Sequence, residues 1–152
     1  MLCSEKESMV VVGMGVFYKQ KCEVWPSEDI ERFCKMNGFS ELSPTIALSR
    51  TALDVHRMGK TFGVDEITYL EMLVTTSQSR GKGVARGIVH AVEDVEEGVI
   101  AAVASSEGTA RILRRRDWQV WNTLDCSQFV FRDQKLFSGV KPITVFMKDM
   151  RK

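Results

Sequence analysis

The chain has 152 residues, of which 44% are hydrophobic and 27% are charged, so we expect one soluble domain over residues 1–152. The net charge of +1 gives no reason to expect nucleic acid or a membrane surface as a partner. The apolar runs are too short to span a bilayer, and the N-terminus lacks the pattern of a signal peptide. The four cysteines show neither C-x-x-C pairing nor a zinc spacing, which predicts reduced thiols in a cytoplasmic protein.

Hydrophobic periodicity predicts a chain that mixes strands and helices. Gly13 and Gly15, within the first predicted strand, indicate a bulge or a close backbone neighbour. The apolar run 99–104 follows a strand and a helix, which predicts that it lies parallel to the strand 67–74. In chain order we expect a strand over 9–18, helices over 27–36 (with Ser27 as N-cap) and from 43 to about 58, a strand over 67–74, a helix from 84 closed by Gly98, a strand over 99–104, a helix from about 105 to the RRRDW stretch, a strand over 118–124, a hairpin turn at 133–135 and a strand over 143–147.

The turn between the strand 67–74 and the next helix carries the candidate chemistry. Two glycines, Gly81 and Gly83, alternate with the cations Arg80 and Lys82, and Arg86 follows in the first helical turn. A helix N-terminus presents unpaired N–H groups and the positive end of the helix dipole, so cations are unfavourable there unless an anion lies among them. Glycines let the backbone approach such an anion closely. This pattern predicts a phosphate or pyrophosphate site.

Two common phosphate-binding motifs can be tested by spacing. The G-K-T at 59–61 matches the end of a Walker A motif, but Asp54 stands where its first glycine is required. The dinucleotide fingerprint fails because Arg86 occupies the position of its third glycine. The pattern that fits is R-x-x-G-x-A, which spans 80–85. A glycine turn with exposed cations and no ligand is the alternative interpretation.

This hexapeptide resembles the acetyl-CoA pyrophosphate loop of the GCN5-related N-acetyltransferase (GNAT) superfamily, whose signature is Q/R-x-x-G-x-G/A between a strand and a helix. The order of the predicted elements is also similar, and TARILRRRDW (109–118) resembles the fourth helix of that family. The region before Tyr69 and the C-terminal tail look most like invertebrate arylalkylamine (dopamine-type) N-acetyltransferases. The resemblance covers roughly residues 8–150. It implies an α/β fold with a mixed, mostly antiparallel sheet, a parallel central strand pair and flanking helices.

The resemblance also implies acetyl-CoA as cofactor and a small-molecule amine as acetyl acceptor, with direct transfer between them. The loop at 80–85 would hold the pyrophosphate, and the pantetheine arm would enter between the strands 67–74 and 99–104. One arginine of the run 111–116 could reach the 3′-phosphate, and Thr109 could bond the cofactor or cap its helix. The expected cofactor-binding residues are Leu73, Val74, Thr75, Arg80, Gly81, Lys82, Gly83, Val84, Ala85 and Thr109.

Acetyl transfer to an amine requires a base for the ammonium and an acid for the leaving thiolate. Counting back from Arg80, Tyr69 and Glu71 occupy the positions of paired catalytic histidines in the vertebrate arylalkylamine N-acetyltransferases, which makes both residues catalytic candidates. Strand alternation predicts that they share one face with Leu73 and Thr75. Glu71 is a carboxylate in an apolar strand, where burial is costly unless the group is paired or functional. A partly exposed glutamate that faces a neighbouring cation is the other interpretation.

The sequence departs from the family in its first elements. A strand and one or two helices that precede the first predicted strand and wall the acceptor site have no counterpart, and Arg114 stands where a tyrosine general acid is often found. We therefore expect an N-terminally truncated domain whose first strand lies at or near a sheet edge and leaves apolar surface uncovered, which favours homo-oligomers or instability. Two functions stay open: an N-acetyltransferase for a primary amine, arylalkylamines included, and an impaired CoA-binding or partner-binding remnant. An acceptor pocket beside Glu71 favours the first, and an open apolar face favours the second.

Overall fold

The computed structural model describes residues 11–151, in which the strands form one mixed sheet of order β1-β2-β3-β5-β4. Only β2 and β3 pair in parallel, and the other neighbouring strands are antiparallel. This arrangement confirms the expected mixed sheet with its parallel central pair. Met9 and Val10, which the sequence placed in the first strand, lie outside the described residues. The strands are β1 (Gly13–Lys21), β2 (Glu66–Thr75), β3 (Val99–Ala104), β4 (Gln119–Leu124) and β5 (Ile143–Asp149).

The single helix expected from 43 to about 58 is two helices in the structure. Asp54 adopts a left-handed backbone (φ 45°, ψ 55°), which ends the first of them. Its carboxylate then accepts a hydrogen bond from the backbone N–H of Arg57 (3.3 Å) and so caps the second. The helices are α1 (Ser27–Met36), α2 (Ser43–Leu53), α3 (Val55–Phe62), α4 (Val84–Val95) and α5 (Glu107–Arg114), with short 3₁₀ turns at Ser40–Leu42, Ser77–Ser79 and Cys126–Gln128.

Two expected caps are wrong. Pro26 holds the N-cap position of α1, and Ser27 is already helical. The helix α4 ends because Glu96 is extended (φ −100°, ψ 135°), two residues before Gly98. The carbonyl oxygen of Gly98 instead accepts a hydrogen bond from the backbone N–H of Met150 (3.0 Å), so this glycine belongs to the start of β3 rather than to the helix end.

Helices cover both faces of the sheet. On one face, α2 and α3 pack on a core that includes Leu53, Met58, Ile67, Val145 and Met147. On the other face, α4 and α5 pack on a core that includes Val89, Val92, Leu113, Trp118 and Phe146. Helix α1 lies on α2 instead of on the sheet, through a smaller cluster of Ile30, Cys34, Ala47 and Phe131.

The first turns of α4 cross β1 at its two glycines. A Cβ atom on Gly13 would lie 2.7 Å from Cγ1 of Val84, and one on Gly15 would lie 2.6 Å from Cγ2 of Ile88. Both distances are shorter than carbon atoms tolerate, so only glycine fits at these two positions. The sequence predicted a bulge or a close backbone neighbour here, and the closest neighbours are instead side chains of α4, so the glycines set how near this helix lies to the sheet.

A buried carboxylate holds the last turn of α4 in place. Glu93 is 7% exposed and accepts hydrogen bonds from Nε1 of Trp118 (2.6 Å), Nζ of Lys148 (3.2 Å) and the guanidinium of Arg116. Burial acts to raise the pKa of Glu93, but these hydrogen bonds outweigh it and leave the pKa below its usual value. The helix that begins at the candidate phosphate loop is thus fixed at both ends.

Within the described sheet, β1 is an edge strand that leaves apolar surface open, as the sequence predicted. Met14 pairs with Val74 and Val16 pairs with Met72, so these four side chains form one strip on the face opposite α4. They are 50%, 48%, 36% and 46% exposed, respectively. We call these four residues the apolar strip. None of the helices found between residues 11 and 151 has the length and apolar character that a membrane crossing requires. The cytoplasmic location stays a prediction.

Candidate functional site

The two parallel strands separate at the centre of the sheet. They pair only from Thr68 to Leu70 on β2 and from Ile100 to Ala102 on β3. Beyond Leu70, β2 continues to Thr75 and stays paired with β1 on its other side. Among the described residues, the backbone of 71–75 therefore has no strand partner on the side of β3. An extended ligand could add to this free edge as a further strand would.

A β-bulge lies in the pairing of β2 with β1, at the point where β2 separates from β3. Val16 pairs with Met72 and Phe17 pairs with Leu70, so Glu71 is an extra residue in β2 with no counterpart in β1. A bulge bends its strand and redirects the side chains beside it. This bulge therefore places Glu71 at the point where β2 turns away from β3.

The bulge reverses the side-chain alternation along β2. Tyr69 and Glu71 line the same cavity on the α2 face, as the sequence predicted. Leu73 packs instead against the core beneath α4, and Thr75 lines a cavity at the start of that helix. The expectation that all four residues share one face is wrong, because it assumed an unbroken period of two. The strand presents its catalytic candidates to one face, and Leu73 and Thr75 to the other.

The loop before α4 has the backbone that a phosphate site requires. Gly81 (φ 75°) and Gly83 (φ 83°) adopt left-handed conformations that other residues enter only with strain. Helix α4 has no side-chain cap and no acidic residue in its first turn. Its first N–H groups are therefore available to an anion.

A cavity of about 460 Å³ opens above this helix end. Its lining includes the cations Arg80, Lys82, Arg86 and Arg115 and no acidic residue of the described chain. None of these four cations forms an ion pair with another described residue. Such a concentration of unpaired positive charge suits a ligand with several phosphates. The expected cofactor-binding residues that line this cavity are Thr75, Arg80, Gly81, Lys82, Gly83, Val84 and Ala85. We call it the cationic cavity.

The arginine run at the end of α5 has divided roles that the sequence could not distinguish. Arg114 forms an ion pair with Glu107 (3.1 Å), and Arg116 binds the buried Glu93. Arg115 alone of these three lines the cationic cavity. A charged run therefore supplies two structural ion pairs and one cation beside the phosphate loop.

Three expected cofactor residues lie outside the lining of the cationic cavity. Leu73 and Val74 belong to the free edge of β2, where the proposed contact is through the backbone. Thr109 is bonded to the N-cap residue of α5: its N–H and its hydroxyl lie 3.2 Å and 3.1 Å from Oγ of Ser106. Its role toward a cofactor stays a prediction.

A second cavity, of about 890 Å³, lies on the α2 face of the sheet. Aromatic rings form much of its wall. Trp25 and Phe33 meet edge to face with ring centroids 6.0 Å apart, and Tyr18 and Tyr69 do so at 5.8 Å. The sequence gave no sign of this wall, because it comes from segments that are distant in the chain. The aromatic cavity is lined by the aromatic residues Tyr18, Trp25, Phe33, Phe39 and Tyr69, by the charged residues Lys19, Lys21, Glu23, Arg50 and Glu71, and by smaller polar and apolar residues.

The two catalytic candidates have different environments within the aromatic cavity. Tyr69 is 5% exposed. Burial raises its pKa, and the phenol of Tyr18 and the charge of Glu71 raise it further, so its hydroxyl stays protonated at neutral pH. Glu71 is exposed at the bulge, with no hydrogen bond or ion pair to another described residue. The structure neither buries this carboxylate nor pairs it with a described cation, and its role as a base stays a prediction. Glu71 is an unpaired carboxylate at the cavity wall.

Comparison with known proteins identifies structures that have a similar fold. No protein-family model matches the chain, and no curated protein matches it in sequence. Arylalkylamine N-acetyltransferase 2 from Aedes aegypti matches in structure with a TM-score of 0.73 and 15% identity, over 92% of this chain and 68% of its own. The polyamine N-acetyltransferase of Drosophila melanogaster matches at 0.71 and 17%, over 91% and 69%. Arabidopsis thaliana NAA60 in complex with acetyl-CoA matches at 0.55 and 10%, over 97% and 70%.

These matches define a class of fold. The sheet with its parallel central pair and the flanking helices have the fold of these N-acetyltransferases, which confirms the fold that the sequence resemblance implied. The assignments of the candidate phosphate loop and of the catalytic candidates are inferred from this chain's own residues and not from these matches.

Proposed function

We propose that this chain is an acetyl-CoA-dependent N-acetyltransferase that transfers the acetyl group directly to a primary amine. One observation carries the proposal: the aromatic cavity lies on one face of β2, where that strand leaves β3, and the cationic cavity lies on the other face at Thr75, where β2 ends. A cofactor anchored at one cavity and extended along the free edge 71–75 would present its reactive end beside the other. The aromatic wall suits an amine with an aromatic or large apolar body, such as an arylalkylamine.

The chain's own residues account for cofactor binding. The free N–H groups at the start of α4 would hold the pyrophosphate, and Arg80, Lys82 and Arg86 would balance its charge. Arg115 would bind a further phosphate from the other side of the cationic cavity. The unpaired backbone of Leu73–Thr75 would hold the pantetheine arm as an added strand. When bound, acetyl-CoA supplies an acetyl group activated as a thioester.

Two side chains of the aromatic cavity would move protons. Glu71 would accept the proton of the acceptor ammonium, which frees the nitrogen lone pair for attack on the thioester carbonyl. A backbone N–H of the free edge would polarise that carbonyl. Tyr69 stays protonated at neutral pH and makes no hydrogen bond to a described residue, so it is the candidate donor to the leaving thiolate. The proton taken by Glu71 would then return to solvent, and the second proton that the nitrogen loses on forming the amide would restore the hydroxyl of Tyr69.

A second function has its own supporting observation. The apolar strip of Met14, Val16, Met72 and Val74 is open on the same face as Glu71. A CoA-binding module that docks a partner, or a second copy of itself, would use such a surface and would have no turnover. The two functions share the cofactor and differ in catalysis.

The cofactor assignment is tested by thermal unfolding with acetyl-CoA. A ligand at 100 times its Kd stabilises the native state by about 2.7 kcal/mol, which for a chain of this size raises Tm by about 5–10 °C. Gly83→Glu should abolish this rise, because it places a carboxylate at the anion site. Gly139→Glu is the matched control: Gly139 has a similar backbone (φ 88°), and its Cβ would meet no atom within 4 Å. A full response from Gly83→Glu would show that the loop is wrongly assigned.

A further inference from the structure

Arg50 is a cation in the wall of the aromatic cavity that has no partner for its charge. It lies in the last turn of α2, with its Cζ atom 4.8 Å from the centroid of the Trp25 ring. Its Nη1 atom is shielded from water and has no hydrogen-bond acceptor, which is true of no other buried side-chain nitrogen or oxygen in the described residues. No carboxylate of the described chain lies within ion-pair distance. The fold therefore holds a half-buried guanidinium in place and leaves one of its N–H groups unsatisfied.

An unsatisfied guanidinium in such a place points to a ligand. Leaving a buried donor without an acceptor is unfavourable, and more so when the donor is charged. A guanidinium is planar and presents parallel N–H groups that match the two oxygens of a carboxylate. Stacking on Trp25 fixes its orientation before the ligand arrives. A carboxylate on the ligand would supply the missing acceptor.

Arg50 lines the same cavity as the catalytic candidates and also lines a neighbouring cavity on its other side. Burial raises the pKa of Tyr18 and of Tyr69, and the positive charge of Arg50 opposes both rises. Glu71 acts on the same two phenols with the opposite sign. Arg50 and Glu71 are thus both within electrostatic reach of these rings, yet they do not form an ion pair with each other. The cavity keeps Arg50 and Glu71 apart, as a ligand with both charges would require, and Lys19, Lys21 and Glu23 are its other charged lining residues.

We propose that Arg50 binds a carboxylate of the acetyl acceptor. The preferred substrate is then an alkylamine that carries both an aromatic ring and an acid group. Aromatic amino acids and benzoic acids with an aminoalkyl substituent have this chemistry, and simple arylalkylamines lack the acid. The inference rests on the proposed function, because it names the substrate class of that same site. Arg50 is then a specificity residue, while Glu71 and Tyr69 move the protons.

The test compares acceptors that differ only in the acid group. Phenethylamine is paired with phenylalanine, whose carboxylate lies beside the amine, and with para-(aminoethyl)benzoate, whose carboxylate lies at the far end of the ring. Phenylalaninamide keeps a carbonyl oxygen without the charge. For each compound, kcat/KM is measured with acetyl-CoA, and binding is measured by calorimetry in the presence of CoA. Wild-type protein should prefer at least one of the two acids over phenethylamine by about 10- to 150-fold, the range for a hydrogen bond to a charged group.

Two variants link that preference to Arg50. Arg50→Gln should remove most of the preference, Arg50→Lys should keep part of it, and both should bind acetyl-CoA as the wild type does. Arg57→Gln is the matched control. Arg57 also stacks on a tryptophan, with Cζ 4.5 Å from the Trp121 ring centroid, but it lies outside the aromatic cavity. Its loss should leave the preference unchanged.

The outcomes separate this inference from the proposed function. If phenethylamine is acetylated with a kcat/KM equal to that of both acids, the inference is overturned while the enzyme assignment stands. If no compound is acetylated but calorimetry shows the acid preference and its dependence on Arg50, the inference about the cavity holds and the enzyme assignment fails. If the wild type binds neither acid better than phenethylamine, Arg50 has no role in recognition.

Discussion

Replacing Glu71 by glutamine separates a catalytic carboxylate from a structural one. The side chain is exposed and bonds to no other described residue, so the change should alter the free energy of unfolding by no more than about 0.5 kcal/mol. For a chain of this length, that corresponds to a shift in Tm of about 2 °C or less. If Glu71 is the base, turnover should nevertheless fall by about 10²–10⁴-fold, which is about 3–5 kcal/mol in activation free energy. Stability and turnover should therefore respond very differently.

The assay is release of CoA at saturating acetyl-CoA and amine, followed from about pH 6 to about pH 10. The deficit of Glu71→Gln should be greatest near neutral pH and should shrink as pH rises, because more of the amine is then deprotonated in solution. Glu66→Gln is the control, since Glu66 is an exposed glutamate at the start of the same strand. Wild-type turnover in a folded Glu71→Gln protein would refute the assignment. Lower stability or cofactor affinity with an unchanged pH profile would indicate a structural role.

Three further predictions concern the cationic cavity and the helix α4 that begins beneath it. Glu93→Gln should lower the free energy of unfolding in urea by about 3–5 kcal/mol at neutral pH, because it breaks a buried ion pair, whereas Glu107→Gln at an exposed pair should cost less than about 1 kcal/mol. Because the folded-state pKa of Glu93 lies below its usual value, its contribution should be complete above the unfolded-state pKa and should disappear as pH falls through the folded-state pKa, so the two curves should converge in acid. Arg115→Gln should weaken acetyl-CoA binding by about 10- to 150-fold in calorimetry, while Arg111→Gln, at an exposed position outside the cationic cavity, should leave it nearly unchanged. Gly15→Val should lower Tm, because its Cβ would lie 2.6 Å from Ile88 Cγ2, and a wild-type Tm would contradict the close contact between β1 and α4.

The backbone of the candidate phosphate loop could be predicted because its signals are local. Gly81 and Gly83 are needed wherever the backbone turns with positive φ, and the cations stand beside them in the sequence. The flanking elements follow from composition and periodicity alone, and the structure places β2 over Glu66–Thr75 and α4 over Val84–Val95. A site made of one strand, one turn and one helix start is contained in about twenty consecutive residues, so no long-range contact is needed to recognise it.

The acceptor side could not be predicted in the same way, because it depends on pairing between distant segments. The bulge at Glu71 exists only in the register of β2 against β1, and it moves Leu73 to the opposite face. The stacking of Arg50 on Trp25 requires that α2 fold back on the segment before α1. Composition and periodicity do not indicate either the bulge or the stacking. The break at Asp54 is a smaller case, since aspartate only occasionally adopts the left-handed backbone that ends α2.

The central claim is that this chain moves an acetyl group from acetyl-CoA to an amine. Mass spectrometry of the reaction of the full chain with acetyl-CoA and the four acceptors named above tests it most directly. The account predicts an amine that gains one acetyl group, an equal amount of free CoA, and loss of both products in Gly83→Glu but not in Gly139→Glu. Binding of acetyl-CoA without an acetylated product from any of these amines would contradict it and would leave a CoA-binding module in its place.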